Sequence, residues 1–483
     1  MTRVSIGILG HCLLGICWLV ACSDDGAAPQ DGGTGEASSP GEAGAEAAVD
    51  ASGPPPKLIA GGGTSGGAID GRINIYVVEY RTDKPLAGAF VMLGDGSEHK
   101  GTTDDDGLVS FSKPGLKGPV TLTAGIKGYT TSTLVGLDAA NVTLPLEPRN
   151  EPTVETGTCT GTVKDWGTLA SLPLNHYHVG FAGYLLDSDL SALRNDVEQP
   201  PGDLNLYLPG FPLYHTNWAV TVPAGDFAIY MLVFDWDTKG TLGQDDDTFA
   251  LTHIGVAPGL KVGAGQKLAD VEVPIVPVTG SLDVKLPAQP VGTDKLTVGI
   301  SAQLTGGELV PVFYDTTSQT SFPVPTLDGA FAGGNFWVSV EAEKTAATDD
   351  DRKTTSLLIK RGLTDMSKSV EGTLLDLPSD LKLEGRKLSY LPVAGANVNT
   401  IRLLPETSGS SYWNISFVAP ASSTVSYTLP TLPPAAEPLP ADKLFFLALC
   451  SEFPGVDLNN VLFDELGDKL ARYSQDGIVV TLK

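Results

Sequence analysis

Basic residues are scarce in this 483-residue chain: 31 Lys and Arg face 57 Asp and Glu, a formal net charge of −26. A polyphosphate would be repelled by such a surface, which argues against a nucleic-acid partner. Histidine is rarer still. None of His11, His99, His176, His178, His215 and His253 has Glu three residues on, so the H-x-x-E pair of zinc carboxypeptidases is missing. After Cys22 no apolar run reaches the 18 or more residues of a membrane-spanning helix. Long helical patterns are equally thin, with only Leu190 to Val197 and Leu458 to Ala471 as brief candidates.

What the chain does have is 56 Gly and 35 Pro against 42% hydrophobic residues, the mark of many turns between short buried elements. From residue 72 the hydrophobic period is close to two. Val120, Leu122, Ala124 and Ile126 alternate with Thr121, Thr123 and Gly125, putting one face on a core and the other in water. Ile73 to Tyr80, Ala89 to Leu93, Leu108 to Phe111 and Val142 to Leu146 read as further strands. Lys84-Pro85, Gly94-Asp95-Gly96, Asp105-Asp106-Gly107 and Lys113-Pro114-Gly115 supply the turns. The expectation is an all-β chain of tandem small antiparallel β-sandwiches. Boundaries are expected near 149, 278 and 378, giving units over 71–148, 149–277, 278–377 and 378–483. Lys261 to Val273 is expected as one closing strand of the second unit.

The N-terminus reads as an address. Arg3 precedes the apolar stretch Ile6 to Val20, about the length of a signal-peptide core, over 1–21. Leu19-Val20-Ala21-Cys22 resembles the lipobox of bacterial lipoproteins. The resemblance implies diacylation of Cys22, cleavage just before it, often a further acyl chain on the new N-terminus (palmitate among the chains) and a membrane partner. Each buried CH₂ contributes about 0.8 kcal/mol, so two chains hold where one barely does. Ser23 after the cysteine points to the outer membrane of the cell envelope. Residues 22–70, rich in Gly, Ala, Pro, Asp and Glu, are expected to be a disordered tether. Matches to G-x-S-x-G at Gly63 to Gly67 and to G-x-G-x-x-G at Gly61, Gly63 and Gly66 lack the strand and helix that such chemistry needs. Once Cys12 and Cys17 leave with the leader and Cys22 takes lipid, Cys159 and Cys450 remain; an oxidising compartment would let them pair, and two buried free thiols are the leading expectation.

Residues 71–148 carry a second resemblance. Lys84-Pro85-Leu86-Ala87-Gly88-Ala89 before Phe90 to Leu93, the turn Thr102 to Gly107, and Gly128-Tyr129 together resemble a carboxypeptidase regulatory-like domain. That family implies a transthyretin-like sandwich in exported proteins, and no catalysis.

Two stretches could carry chemistry. Phe227 to Phe234 runs into Asp235, Asp237, Gly240 and Asp246, which follow the spacing of a calcium loop. Lys239 stands at a ligand position and Asp246 replaces the usual Glu, so a solvated acidic loop is the competing expectation. His176 and His178, two apart on a strand, would share a face, with His215 and His253 in the same segment. A metal-dependent hydrolase built on His176, His178, His215 and Asp235 is therefore the alternative to a non-catalytic module. Asp349 to Asp351 reads as a solvated loop. Trp166, Trp218, Trp236, Trp337 and Trp413 suit core packing, or stacking on sugar rings if exposed. The leading expectation is an exported, lipid-anchored protein whose sandwiches bind carbohydrate or an envelope protein, or serve structurally, with no cofactor beyond the calcium alternative.

Overall fold

In the computed structural model the described residues are 55–94, 98–149, 155–164, 166–186, 206–207, 218–240, 248–345, 354–405, 411–418, 423–440 and 443–482. The leader 1–21, Cys22, tether residues 22–54, the helix candidate 190–197, His215, Asp246 and Asp349 to Asp351 lie outside them. The architecture is all-β, and its helical content among the described residues is a single turn, Leu466–Lys469, with two 3₁₀ turns. No helix among these residues is long and apolar enough to cross a membrane.

The organising element is a twelve-stranded sheet. Its order runs Leu309–Thr316, Lys295–Gln303, Asn335–Glu343, Thr355–Leu363, Arg472–Thr481, Lys443–Glu452, Val398–Pro405, Trp413–Phe417, Thr131–Leu137, Val120–Gly125, Phe90–Leu93 and His99–Thr102. The first, third and fourth units all contribute strands to it. Small sheets cover its two faces. Gly63–Ser65, Asn141–Leu146, Asp70–Glu79 and Leu108–Lys117 close the first core around Ile73, Ile75, Val91, Leu122 and Val142. Gly280–Asp283 with Ser321–Val324 helps to cover the third core, and Ser379–Glu384, Lys387–Leu391 and Val425–Thr428 cover the fourth. Alternation explains how one sheet feeds two layers: Leu357 faces the first core while its neighbour Leu358 faces the third.

The all-β class is as expected, and four details of it differ from or add to the sequence reading. The tether was expected to run to residue 70, yet Ile59 and Ile69 are buried and Gly63–Ser65 is a strand paired on both sides. The glycines are there for closeness. A Cβ at Gly63 would lie 2.5 Å from Val461 O, and one at Gly62 would meet Pro145 and Phe463. The units are also not self-contained. Val461–Leu462, from the fourth, pairs with Gly63–Ser65, and Phe453, Phe463, Leu466 and Tyr473 fill the first core. Nor is every pairing antiparallel: Asp70–Glu79 with Asn141–Leu146, Trp413–Phe417 with Thr131–Leu137, and Lys267–Val273 with Thr156–Val163 are parallel. Finally, Lys261 to Val273 is two strand segments divided at Gly263 to Gln266, where the Gln266 amide donates back to Gly263 O.

Side-chain clasps fasten the units together. Arg149 lies 3.7 Å over the Tyr412 ring, and its Nη1 donates to Glu437 Oε1 at 2.8 Å. Glu437 Oε2 also accepts the Gly128 amide. Arg361, stacked 4.5 Å from the Trp337 ring, donates to the Gly467 and Leu470 carbonyls that end the short helix. Cys159 and Cys450 are both free and buried.

Candidate functional site

His176–Leu186, Gly225–Asp237 and Thr248–Val262 form the heart of a five-stranded sheet in the second unit. The run Phe227 to Phe234 is apolar without alternation because both of its faces are covered. On one face Ala182, Ile229, Met231 and Val233 pack against the sheet of Trp218–Pro223, Thr156–Val163 and Lys267–Val273. On the other, Leu185, Tyr230, Leu232 and Ile254 join the core of the third unit. The middle sheet outruns both cores at one end, and there each face changes character.

On the first face the register sets His176 opposite Asp237, His178 opposite Asp235 and Val233 opposite His253. Directly opposed side chains share a face, so the four His and Asp side chains of the first two pairs lie on one face. His176 sits between two carboxylates, Nδ1 at 2.8 Å from Asp235 Oδ1 and Nε2 at 3.5 Å from Asp237 Oδ2. Asp237 also accepts from the Lys239 ammonium and, at 2.8 Å, from the Lys239 amide. Those two hydrogen bonds, followed by the nearby His176 ring, hold the Asp237 carboxyl below its ordinary pKa. His178 turns away, its Nε2 2.9 Å from Ala170 O, with its ring edge-on to Trp166. Burial, then the neighbouring His178, lowers the pKa of His253.

The expected calcium loop is therefore redrawn. Asp235 and Asp237 are strand residues, since pairing with His176–Leu186 continues to the last of them, and the chain turns only at Thr238 to Gly240. Thr238 and Gly240 are fitted around Asn175 at that turn. The structure brings together His176, Asp235 and Asp237, places His178 on the same face and His253 one strand over, and leaves His215 and Asp246 outside the described residues. Among the described residues no three His, Cys, Asp or Glu side chains are grouped so as to hold a metal ion. The turn at Asp104 to Gly107 is as expected, Asp104 Oδ1 accepting the amides of Asp106 and Leu108.

The opposite face carries an aromatic row that motif reading passed over. Tyr177 pairs with Trp236 and Trp236 with Phe249, at centroid distances of 5.9 Å each; the second pair is nearly parallel, at 6°. Phe234 meets Phe249 edge-on at 6.3 Å and Phe181 at 5.6 Å. The row begins on the third core at Phe234 and ends at Phe249, which is 44% exposed. Its signal was in the sequence: in His-Tyr-His and Asp-Trp-Asp, period two sends the middle ring to the face opposite the charges. Of the other tryptophans, Trp218 and Trp413 are fully buried core residues and Trp337 is buried under Arg361. A separate open groove of about 770 Å³, lined by Val291, Lys344, Asp376, Asp380 and Asp476, lies between the third and fourth units.

No protein-family model matches the chain, and no curated protein matches it. Among solved structures it is similar to the Bacillus anthracis TIE protein at 13% identity, covering 59% of this chain and 47% of that one, with a TM-score of 0.14. The chain thus spans about half the length of that protein. Two B repeat units of the Staphylococcus aureus collagen-binding protein align at 9% identity over 80% of this chain and 97% of theirs, TM-score 0.12. The pilus adhesin SpaC of Lactobacillus rhamnosus aligns at 11% identity over 73% and 43%, TM-score 0.13. Superpositions this loose carry no weight for binding or activity.

Proposed function

We propose that this chain is a non-catalytic lipoprotein of the cell envelope, acylated at Cys22, whose β-sandwich body acts as a binding or structural module for carbohydrate or an envelope protein. The observation that carries the reading is the two-faced end of the second unit's sheet. On one face His176, Asp235 and Asp237 spend their polar atoms on one another and on Lys239, and on the other an aromatic row leads out to exposed Phe249. A hydrolytic centre wants ligands left open to a metal and a water. Rings on a rigid strand pair, by contrast, offer contact area at small entropic cost. The resemblance of residues 71–148 to a carboxypeptidase regulatory-like domain and the lipobox-like Leu19 to Cys22 support the exported setting.

The test is a glycan array and an envelope-extract pull-down with the acylated protein and with Trp236→Ala and Phe249→Ala. Loss of binding at unchanged Tm supports the reading. Stoichiometric zinc together with a hydrolytic activity abolished by His176→Ala would replace it with the hydrolase. Cys22→Ala should release the protein from membranes.

A further inference from the structure

The seam between the N-terminal segment and the fourth unit has an unusual construction. Residues 57–69 are fastened chiefly by side chains of other segments. The Lys57 amide donates to Asn141 Oδ1, Ile59 to Thr143 Oγ1, Gly61 to Asp83 Oδ2 and Ile69 to Asp138 Oδ1. Thr64 Oγ1 donates to Leu458 O at 2.7 Å and accepts from the Val461 amide, while the Phe463 amide donates to Gly62 O. At Gly61 this stitching meets two carboxylates. Asp83 takes the Gly61 amide at 2.9 Å, and Asp464 is packed on the other side, its Oδ2 2.9 Å from where a Cβ on Gly61 would sit. Asp464 Oδ1 is buried and has no hydrogen-bond partner.

We propose that this seam is a proton-operated latch: it is tight when Asp464 is protonated, and it loosens residues 59–64 from 461–464 when Asp464 ionises beside Asp83. Among the described residues no cation forms an ion pair with Asp83 or Asp464. The segment over Asp464 is Ile59-Ala60-Gly61-Gly62, without an ionisable side chain, and Pro145 is its neighbour from the adjoining strand. The charged groups acting on Asp464 are Asp83, from the turn after Asp70–Glu79, and Glu465, whose own charge is partly met by Lys469 at 2.7 Å. An ionised carboxylate with one oxygen buried and unbonded, beside a second carboxylate, is destabilised by desolvation and by repulsion. Burial accordingly raises the Asp464 pKa against the opposing pull of the Glu465 and Asp464 amides, and the charges of Glu465 and Asp83 add to the rise. Because the folded value lies above the unfolded one, the stabilisation is complete at low pH and is lost as pH rises through the folded pKa.

Hydrogen exchange of the full chain between pH 3, below the ordinary 3.8 of the carboxyl, and pH 8, corrected for intrinsic exchange, tests this. Protection of 59–64 and 461–464 should fall with rising pH by about tenfold for each unit separating the folded from the unfolded pKa. Protection of Phe445 to Cys450, distant from the seam, should stay level. Asp464→Asn should make the seam protection high and independent of pH. Should that variant fail to fold, Asp83→Asn keeps an oxygen for the Gly61 amide and removes the neighbouring charge; the loss of protection should then be smaller and complete at lower pH, because without that repulsion the folded pKa of Asp464 lies nearer its unfolded value. A level wild-type profile, or a profile unchanged by both substitutions, overturns the proposal.

Discussion

Removing the Arg149 guanidinium should loosen the first unit from the fourth by an amount that can be worked out from its contacts. Arg149 and Glu437 have side chains only 18% and 19% exposed, so their 2.8 Å ion pair is screened less than a surface pair. A charge-assisted hydrogen bond contributes about 1.5–3 kcal/mol before its desolvation is set against it. The guanidinium face 3.7 Å from the Tyr412 ring adds about 1–2 kcal/mol. Arg149→Ala should therefore cost about 2–4 kcal/mol, part of it from leaving Glu437 partly buried with only the Gly128 amide. Lysine restores the charge but neither the planar stack nor the fork, so Arg149→Lys should recover less than half of the loss. Urea unfolding followed by Trp fluorescence measures each variant, and a double-mutant cycle with Glu437→Gln isolates the pair, with an expected coupling of about 1 kcal/mol or more. A cost for Arg149→Ala within about 0.5 kcal/mol of zero, the range of ordinary surface changes, would refute this account of the clasp.

Gly183→Ala should destabilise the second unit by about 1–3 kcal/mol, because a Cβ there would overlap the Tyr230 hydroxyl in a strand covered on both faces; a Tm within 1 °C (on the order of experimental scatter) would contradict that packing. Tyr129 donates to Glu79 Oε2 at 2.5 Å, and burial, aided by Glu79, pushes its pKa up to about 12. The folded value lies above the ordinary 10.0, so the Tyr129 contribution is whole below pH 10 and lost on the way to 12; Tyr129→Phe should flatten that part of the alkaline stability curve. Burial raises the thiol pKa of Cys159 to about 11 and that of Cys450 to about 12, so neither should react with a thiol reagent at pH 8 until the protein is unfolded.

The strands of the first unit were legible from their alternating residue types, as in Val120 to Gly125, although Thr123 and Gly125, expected on a water face, are buried there. Thr131–Leu137 was not among them, since its Thr-Ser-Thr start lacks an apolar alternation. Thr131 and Thr133 are in fact fully buried, Thr133 Oγ1 accepting from Trp413 Nε1 at 2.9 Å across 280 residues of sequence. That partner is supplied by a parallel strand of the fourth unit, and no local pattern announces a pairing made over such a distance. Gly61 to Gly63 misled for the opposite reason: a composition that suits a linker also suits close backbone contact, and only the neighbour at Val461 tells them apart. At the candidate site the acidic letters of Asp235 and Asp237 suggested a loop. The opposing His176 and the following Lys239 balance that charge and let the strand continue.

Scanning calorimetry of the intact chain is the most direct measurement of the interlocked body, in which one sheet passes through three units and Phe453, Phe463, Leu466 and Tyr473 of the fourth unit fill the first core. The first, third and fourth units should melt in one transition that Gly63→Val shifts downward as a whole. A first unit that melts separately, leaving the strands Lys443–Glu452 and Arg472–Thr481 paired and protected, would contradict it.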